Sequence, residues 1–353
     1  MTLRWTDWPP PVLDALRRGV AIPAHPLALD ANRKLDPVRQ RALSRYYIDA
    51  GSGGLAVGVH TTQFAIRDVG LYAPVLELAM DAAVEWTARP LVMIAGLSGR
   101  TDQARKEAQV ARGLGYHAGL LSMAAFPGAS EDDLIAHARA IAEEIPLVGF
   151  YLQPAVGGIV LPVSFWRRFA AIENVVAIKI APFNRYRTLD VLRGVAEAGA
   201  ADRVTLYTGN DDHIVLDLLL PFRIEAKGAM HTLRIKGGLL GHWSVWVKRA
   251  VELLERIHAA VAAGHIPQDL LELEAQVTDA NAAVFDAAND FHGVIAGYHE
   301  ILRRQGLLAG TWCLDPNEGL GRGQKEAIDR VYAAYPHLND DEFVRQNRER
   351  WLA

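Results

Sequence analysis

The sequence predicts an α/β protein: a (β/α)8 TIM barrel with a C-terminal helical extension. Between Val20 and Thr232, eight short apolar runs alternate with helical patterns. The runs lack the polar alternation of a half-exposed sheet, as parallel strands covered on both faces do. The chain has 353 residues, enough for one large barrel with added helices, and half of them are apolar against 22% charged.

Residues 1–18 read as an appendage in which WPPP leads into a short helix, VLDALRRG. The first strand is expected at 20–25; a helix then runs from Asp36, whose side chain can cap it, to Ala50, and the run from Gly51 to Gly54 ends it. Strand two is expected at 55–60, followed by a helix over 74–87 that starts on Pro74, where a missing N–H costs nothing. Strand three (91–97) leads to a helix over 101–113, and strand four (118–122) to a helix opened by Ser130, with Asp133 at capping-box spacing. Strand five ends at Tyr151, a Gly-rich turn leads to a helix over 162–172, and strand six is 175–180. Strand seven is 204–208, strand eight is placed at 228–232, and the barrel is expected to span 19–236. From 237 to 353 the pattern is helical, roughly 239–263, 267–288, 290–306, 322–335 and 340–351, a region expected to pack on the barrel.

Several function classes are disfavoured by composition. The net charge of −4, with Lys and Arg dispersed, leaves no basic footprint for nucleic acid. No continuous uncharged apolar run of ~18 residues, the length of a membrane span, is present, and the opening MTLRWTDWPPP has no apolar segment behind Arg4 to act as a signal peptide. The single cysteine, Cys313, cannot form an internal disulfide, which fits a cytoplasmic location.

Chemistry concentrates in IPLVGFYLQPAVGGIVLPVSFWRRFAAIENVVAIKIAPFNRYR, residues 145–187. Lys179 lies inside the apolar strand VVAIKI with no adjacent carboxylate, where desolvation disfavours its charged form and a neutral amine is a nucleophile for carbonyl carbon. Tyr151, at the end of the preceding strand, offers a phenol that can donate and accept protons, and strand parity is consistent with both side chains facing the barrel interior. Functional groups of barrels come from the carboxyl ends of strands, here His25, His60, Thr61, Ser98, Tyr151, Lys179, Asn210, Asp211 and His231. Asp211 and Asp212 are read as caps of the next helix.

From about Gly19 to Leu308 the chain resembles the dihydrodipicolinate synthase / N-acetylneuraminate lyase family of class I aldolases and dehydratases. The likeness rests on GLAVGVHTTQF, FYLQPAVGG, VVAIKIAPFNR and LYTGNDD, in that order. The resemblance implies that Lys179 forms an imine with a 2-oxo acid or sugar-acid-like compound and that Tyr151 shuttles protons. By the same resemblance Thr61 binds the substrate carboxylate and Gly158 lets the turn after Tyr151 approach the substrate; His25 and Asn210, by their place at strand ends, are further substrate-site candidates. It also implies a lyase without metal or other cofactor, acting on a small carbonyl compound as a homodimer or homotetramer.

The departures are specific. His60 stands where the family has a relay hydroxyl and is a candidate second acid/base; Val59 and Thr62 replace two motif glycines and Gln63 a glutamate. Ala125 and Phe126 fall where the synthases carry paired tyrosines, Val156 replaces an arginine and Leu152 an asparagine. Lysine biosynthesis is therefore not expected. Two other readings stay open: a non-catalytic small-molecule binding or regulatory protein on the same barrel, and a metal-dependent hydrolase using His25, His60 and His231.

Overall fold

The computed structural model describes residues 2–353. Its strands in chain order are β1 (Ala21–Pro23), β2 (Gly54–Val57), β3 (Val92–Leu97), β4 (Ala118–Leu121), β5 (Leu147–Leu152), β6 (Val175–Ala181) and β7 (Thr205–Thr208). The chain then departs into an antiparallel hairpin, β8 (Phe222–Ala226) and β9 (Ala229–Leu233), before β10 (Ile235–Leu240) inserts in parallel between β7 and β1. A parallel bridge, Ala24↔Ala56, joins β1 to β2, with the His25 amide donating to the Ala56 carbonyl at 2.8 Å, so the eight parallel strands close.

The eighth barrel strand is therefore not at 228–232. That stretch lies within the outer hairpin, where His231 pairs with Ile224, and the strand that completes the barrel is IKGGLL. The structural reason for its two glycines is distant in the chain. A methyl group on Gly237 would meet the Tyr207 ring at 2.6 Å and the Val20 backbone at 2.7 Å, so only glycine allows this strand to lie against its neighbours. The helix expected from 239 consequently begins at Val247.

The helix expected to start on Pro74 begins at Tyr72, while two predicted caps form. The Asp36 carboxylate accepts from the Arg39 amide at 3.1 Å to cap Pro37–Ala50, and the Ser130 hydroxyl accepts from the Asp133 amide at 3.2 Å to cap Glu131–Ala142. Inside the barrel, Ile22, Ala56, Ile94, Leu120, Val148 and Ala177 pack together, while the alternate residues pack outward on the helices. Residues 2–18 plug the amino-terminal end: Trp8, Val12 and Leu16 join the inner cluster, and the Tyr207 hydroxyl donates to the Leu16 carbonyl at 2.9 Å.

The tail folds back onto the barrel. Helix Asp341–Leu352 packs on Pro37–Ala50, with Trp351 5.3 Å from the Tyr46 ring, and buried Asp340 accepts from the Tyr46 hydroxyl at 2.7 Å and from the Lys248 amide at 3.0 Å. Further up, the Leu314 amide donates to the Gln63 side chain at 2.7 Å, tying the tail to the loop that carries His60 and Thr61. Among the described residues no helix is long and apolar enough to cross a membrane.

Candidate active site

Lys179 projects inward from β6 with Ala177 and Ala181, while Ile178 and Ile180 turn out to the helices. It is buried, and its Nζ lies 4.6 Å from the centroid of the Phe150 ring on β5. The stem rests on the end of β7 at Gly209, where a methyl group would meet Lys179 Cε at 2.6 Å and Cγ at 3.0 Å. Around it is a cavity of about 50 Å³ at the carboxyl ends of the strands, lined by His60, Thr61, Gln153, Asp211 and Tyr298 together with aromatic and aliphatic side chains.

Burial drives the Lys179 amine below the usual lysine range, the charge of Asp211 opposing it. Burial drives the Asp211 carboxyl up in turn, opposed by the hydrogen bond from the His242 amide at 2.8 Å and by Lys179. Asp211 is thus not a helix cap: helix Ile214–Leu219 begins after His213, and the carboxylate turns to the amide that follows β10. Burial, and then the nearby Lys179 charge, push the His60 imidazole down to about 4, so it is neutral at neutral pH. Its ring packs on Phe64 at 5.7 Å, within a short turn, His60–Thr62, that also presents Thr61 to the cavity.

Tyr298, from helix Val294–Arg304, is the phenol at this site. Burial, reinforced by the charge of Asp211, pushes it well above the usual tyrosine range. Tyr151 is on the other side of the wall. The register pairs Phe150 with Lys179 and Tyr151 with Ile180, and paired residues of neighbouring strands share a face. Tyr151 therefore packs outward, 5.2 Å from the Trp166 ring, and its oxygen accepts from the Leu161 amide at 3.2 Å. Strand alternation put Tyr151, Gly149 and Leu147 on one face correctly; that face is the outer one.

Three further candidates, His25, Asn210 and Gly158, lie outside the cavity lining. His25 is fully buried away from the cavity, its Nε2 2.8 Å from the Ser44 hydroxyl and its Nδ1 2.9 Å from the Pro26 carbonyl. Asn210 accepts from the Phe183 amide at 3.0 Å and donates to Asp217 at 2.9 Å, positioning the loop after β6, and does not line the cavity. Gly158 closes the turn after β5 by donating to the Gln153 carbonyl at 3.0 Å, and the backbone it approaches closely is that of Leu152. His231, on the hairpin, lies 3.3 Å from the Ala226 carbonyl, so His25, His60 and His231 do not converge on a metal site.

The Dihydrodipicolinate synthetase family profile matches residues 19–333. The chain belongs to this family. It is 31% identical over 191 residues to a 4-hydroxy-tetrahydrodipicolinate synthase of Desulforudis audaxviator, a match covering 54% of this chain and 62% of that protein. It is 24% identical over 303 residues to N-acetylneuraminate lyase 2 of Escherichia coli O6:H1, covering 85% and 88%. Among solved structures, dihydrodipicolinate synthase from Oceanobacillus iheyensis superposes with a TM-score of 0.73 at 14% identity, over 92% of this chain and 99% of that one. N-acetylneuraminate lyase from Fusobacterium nucleatum gives 0.71 at 16% identity, over 91% and 99%. In this chain Lys179 faces the cavity from β6, and Tyr151 on β5 turns away from it.

Proposed function

We propose that this protein is a lyase of the class I aldolase type that forms an imine between Lys179 and a small 2-oxo acid. The observation that carries this is a buried lysine, driven toward its neutral form and set beside a buried carboxyl, in a cavity at the carboxyl end of a barrel strand. The neutral amine adds to the substrate carbonyl. Asp211, held part-protonated by its burial, gives the proton with which the carbinolamine loses water, and its carboxylate then faces the iminium charge. Loss of a proton from the adjacent carbon makes the enamine. Tyr298 takes the proton-relay part that resemblance gave to Tyr151, while Thr61 and neutral His60 hold the substrate carboxylate. We further take the protein to be a cytoplasmic homo-oligomer, although one solved relative is described as a monomeric dihydrodipicolinate synthase variant.

Borohydride trapping with a panel of 2-oxo acids, read by intact mass and peptide mapping, tests this. An adduct on Lys179 is expected with pyruvate or a close analogue; no adduct with any compound sinks the proposal. The trapping rate should rise with pH and level off well below the ordinary lysine pKa of about 10.4, because only the neutral amine attacks and burial lowers its pKa. The outward position of Tyr151 favours one competing reading, a binding protein that forms the imine without turnover. Trapping without release of any cleavage or dehydration product would select it.

Tyr151→Phe is the discriminating variant for the proton relay. It leaves the buried Leu161 amide without its acceptor, an expected loss of about 1–3 kcal/mol in urea unfolding, with the trapping rate unchanged. A trapping rate that collapses while the fold survives would restore Tyr151 to the mechanism.

A further inference from the structure

Phe183, Phe285 and Phe291 line the same cavity as Lys179 and come from three separate segments: the turn after β6, the end of helix Gln268–Val284 and the loop that follows it. Their rings form one cluster, Phe183 lying 6.3 Å from Phe285 and 5.8 Å edge-on from Phe291. Phe183 and Phe291 adopt φ of 50° and 67°, a left-handed backbone that costs a bulky residue of order 1–2 kcal/mol each. Both are pinned in it. The Phe183 amide donates to buried Asn210 at 3.0 Å, and the Phe291 amide to the Asp286 carbonyl at 3.1 Å. Both side chains remain partly exposed although apolar neighbours surround them.

Among the described residues Lys179 is the only Lys or Arg lining the cavity, and the polar groups there, His60, Thr61, Gln153, Asp211 and Tyr298, are few. A polyhydroxylated chain entering it would leave several hydroxyls without partners, each at a cost of about 1–3 kcal/mol. An aryl or branched alkyl group instead gains contact with three phenyl rings.

We infer that the reaction partner of the Lys179 enamine is an apolar aldehyde, aryl or branched alkyl, and not a sugar; this rests on the imine reading of Lys179. In the addition direction the enamine carbon bonds the aldehyde carbon, the aldehyde oxygen takes up a proton, and water hydrolyses the imine to return the lysine amine. Phe183 and Phe291, the partly exposed members, are the side chains that yield to admit the group.

The test pairs pyruvate with benzaldehyde and isobutyraldehyde against D-glyceraldehyde and D-erythrose, following product by mass. Benzaldehyde or isobutyraldehyde should lead both sugars in kcat/KM by at least about tenfold. Phe291→Ser should erode that ratio, and Phe291→Leu, which keeps an apolar side chain, should largely preserve it, with circular dichroism checking the fold of each. A pyruvate adduct on Lys179 combined with equal or better use of the sugars, or with no aldehyde consumed, overturns this inference alone. Absence of any pyruvate adduct overturns it together with the imine reading.

Discussion

Replacing Lys179 with methionine or alanine is expected to abolish borohydride trapping and to lower turnover by roughly 10⁴-fold or more, because among the described residues no other amine lines the cavity to form the imine. Methionine keeps most of the stem that lies against Gly209 and removes the amine, so it separates chemistry from packing. The fold should survive: Ala177 and Ala181 already flank the position inside the barrel, and losing a buried amine removes its desolvation cost. With Lys179 gone, Asp211 loses a charge that holds its carboxyl down, and its titration should move higher. Intact mass after borohydride and denaturant unfolding of the same samples check both halves. A variant that is folded and still trapped would place the nucleophile elsewhere.

Asp211→Asn separates the two roles given to that carboxyl. Without its proton carrier the reaction should slow by about 10² to 10⁴-fold. Its charge is also what opposes the lowering of the Lys179 pKa, so removing it lets that pKa fall further. The rise of trapping rate with pH should therefore begin at lower pH in the variant even as turnover drops. The opposite movement, trapping displaced to higher pH, would show that Asp211 does not act electrostatically on Lys179.

Both variants depend on a site that local sequence exposes only in part. Lys179 is conspicuous because an apolar strand has no structural use for an unpaired ammonium, and Thr61 and His60 follow a strand end within the resemblance motif. Asp211 was visible but ambiguous: an aspartate after Gly209 and Asn210 reads as a cap until the amide of His242, 31 residues on, is seen to claim it. Tyr298, Phe285 and Phe291 carry no local signal. Helical periodicity marks a side chain as buried without saying against what.

Alone, the sequence determined the first seven parallel strands in order, the caps at Asp36 and Ser130, the helical extension and the inward lysine. Those are short-range consequences of apolar runs, turn chemistry and side-chain hydrogen bonds within a few residues. Tertiary structure decided which face of β5 looks inward, that the last barrel strand is Ile235–Leu240, and that the helical extension supplies the cavity with a phenol and two phenyl rings. Alternation along a strand relates its residues to one another, but the absolute face is set by the register against β6 as the barrel closes, a contact between residues distant in the chain. Phe150 rather than Tyr151 meets Lys179 for that reason.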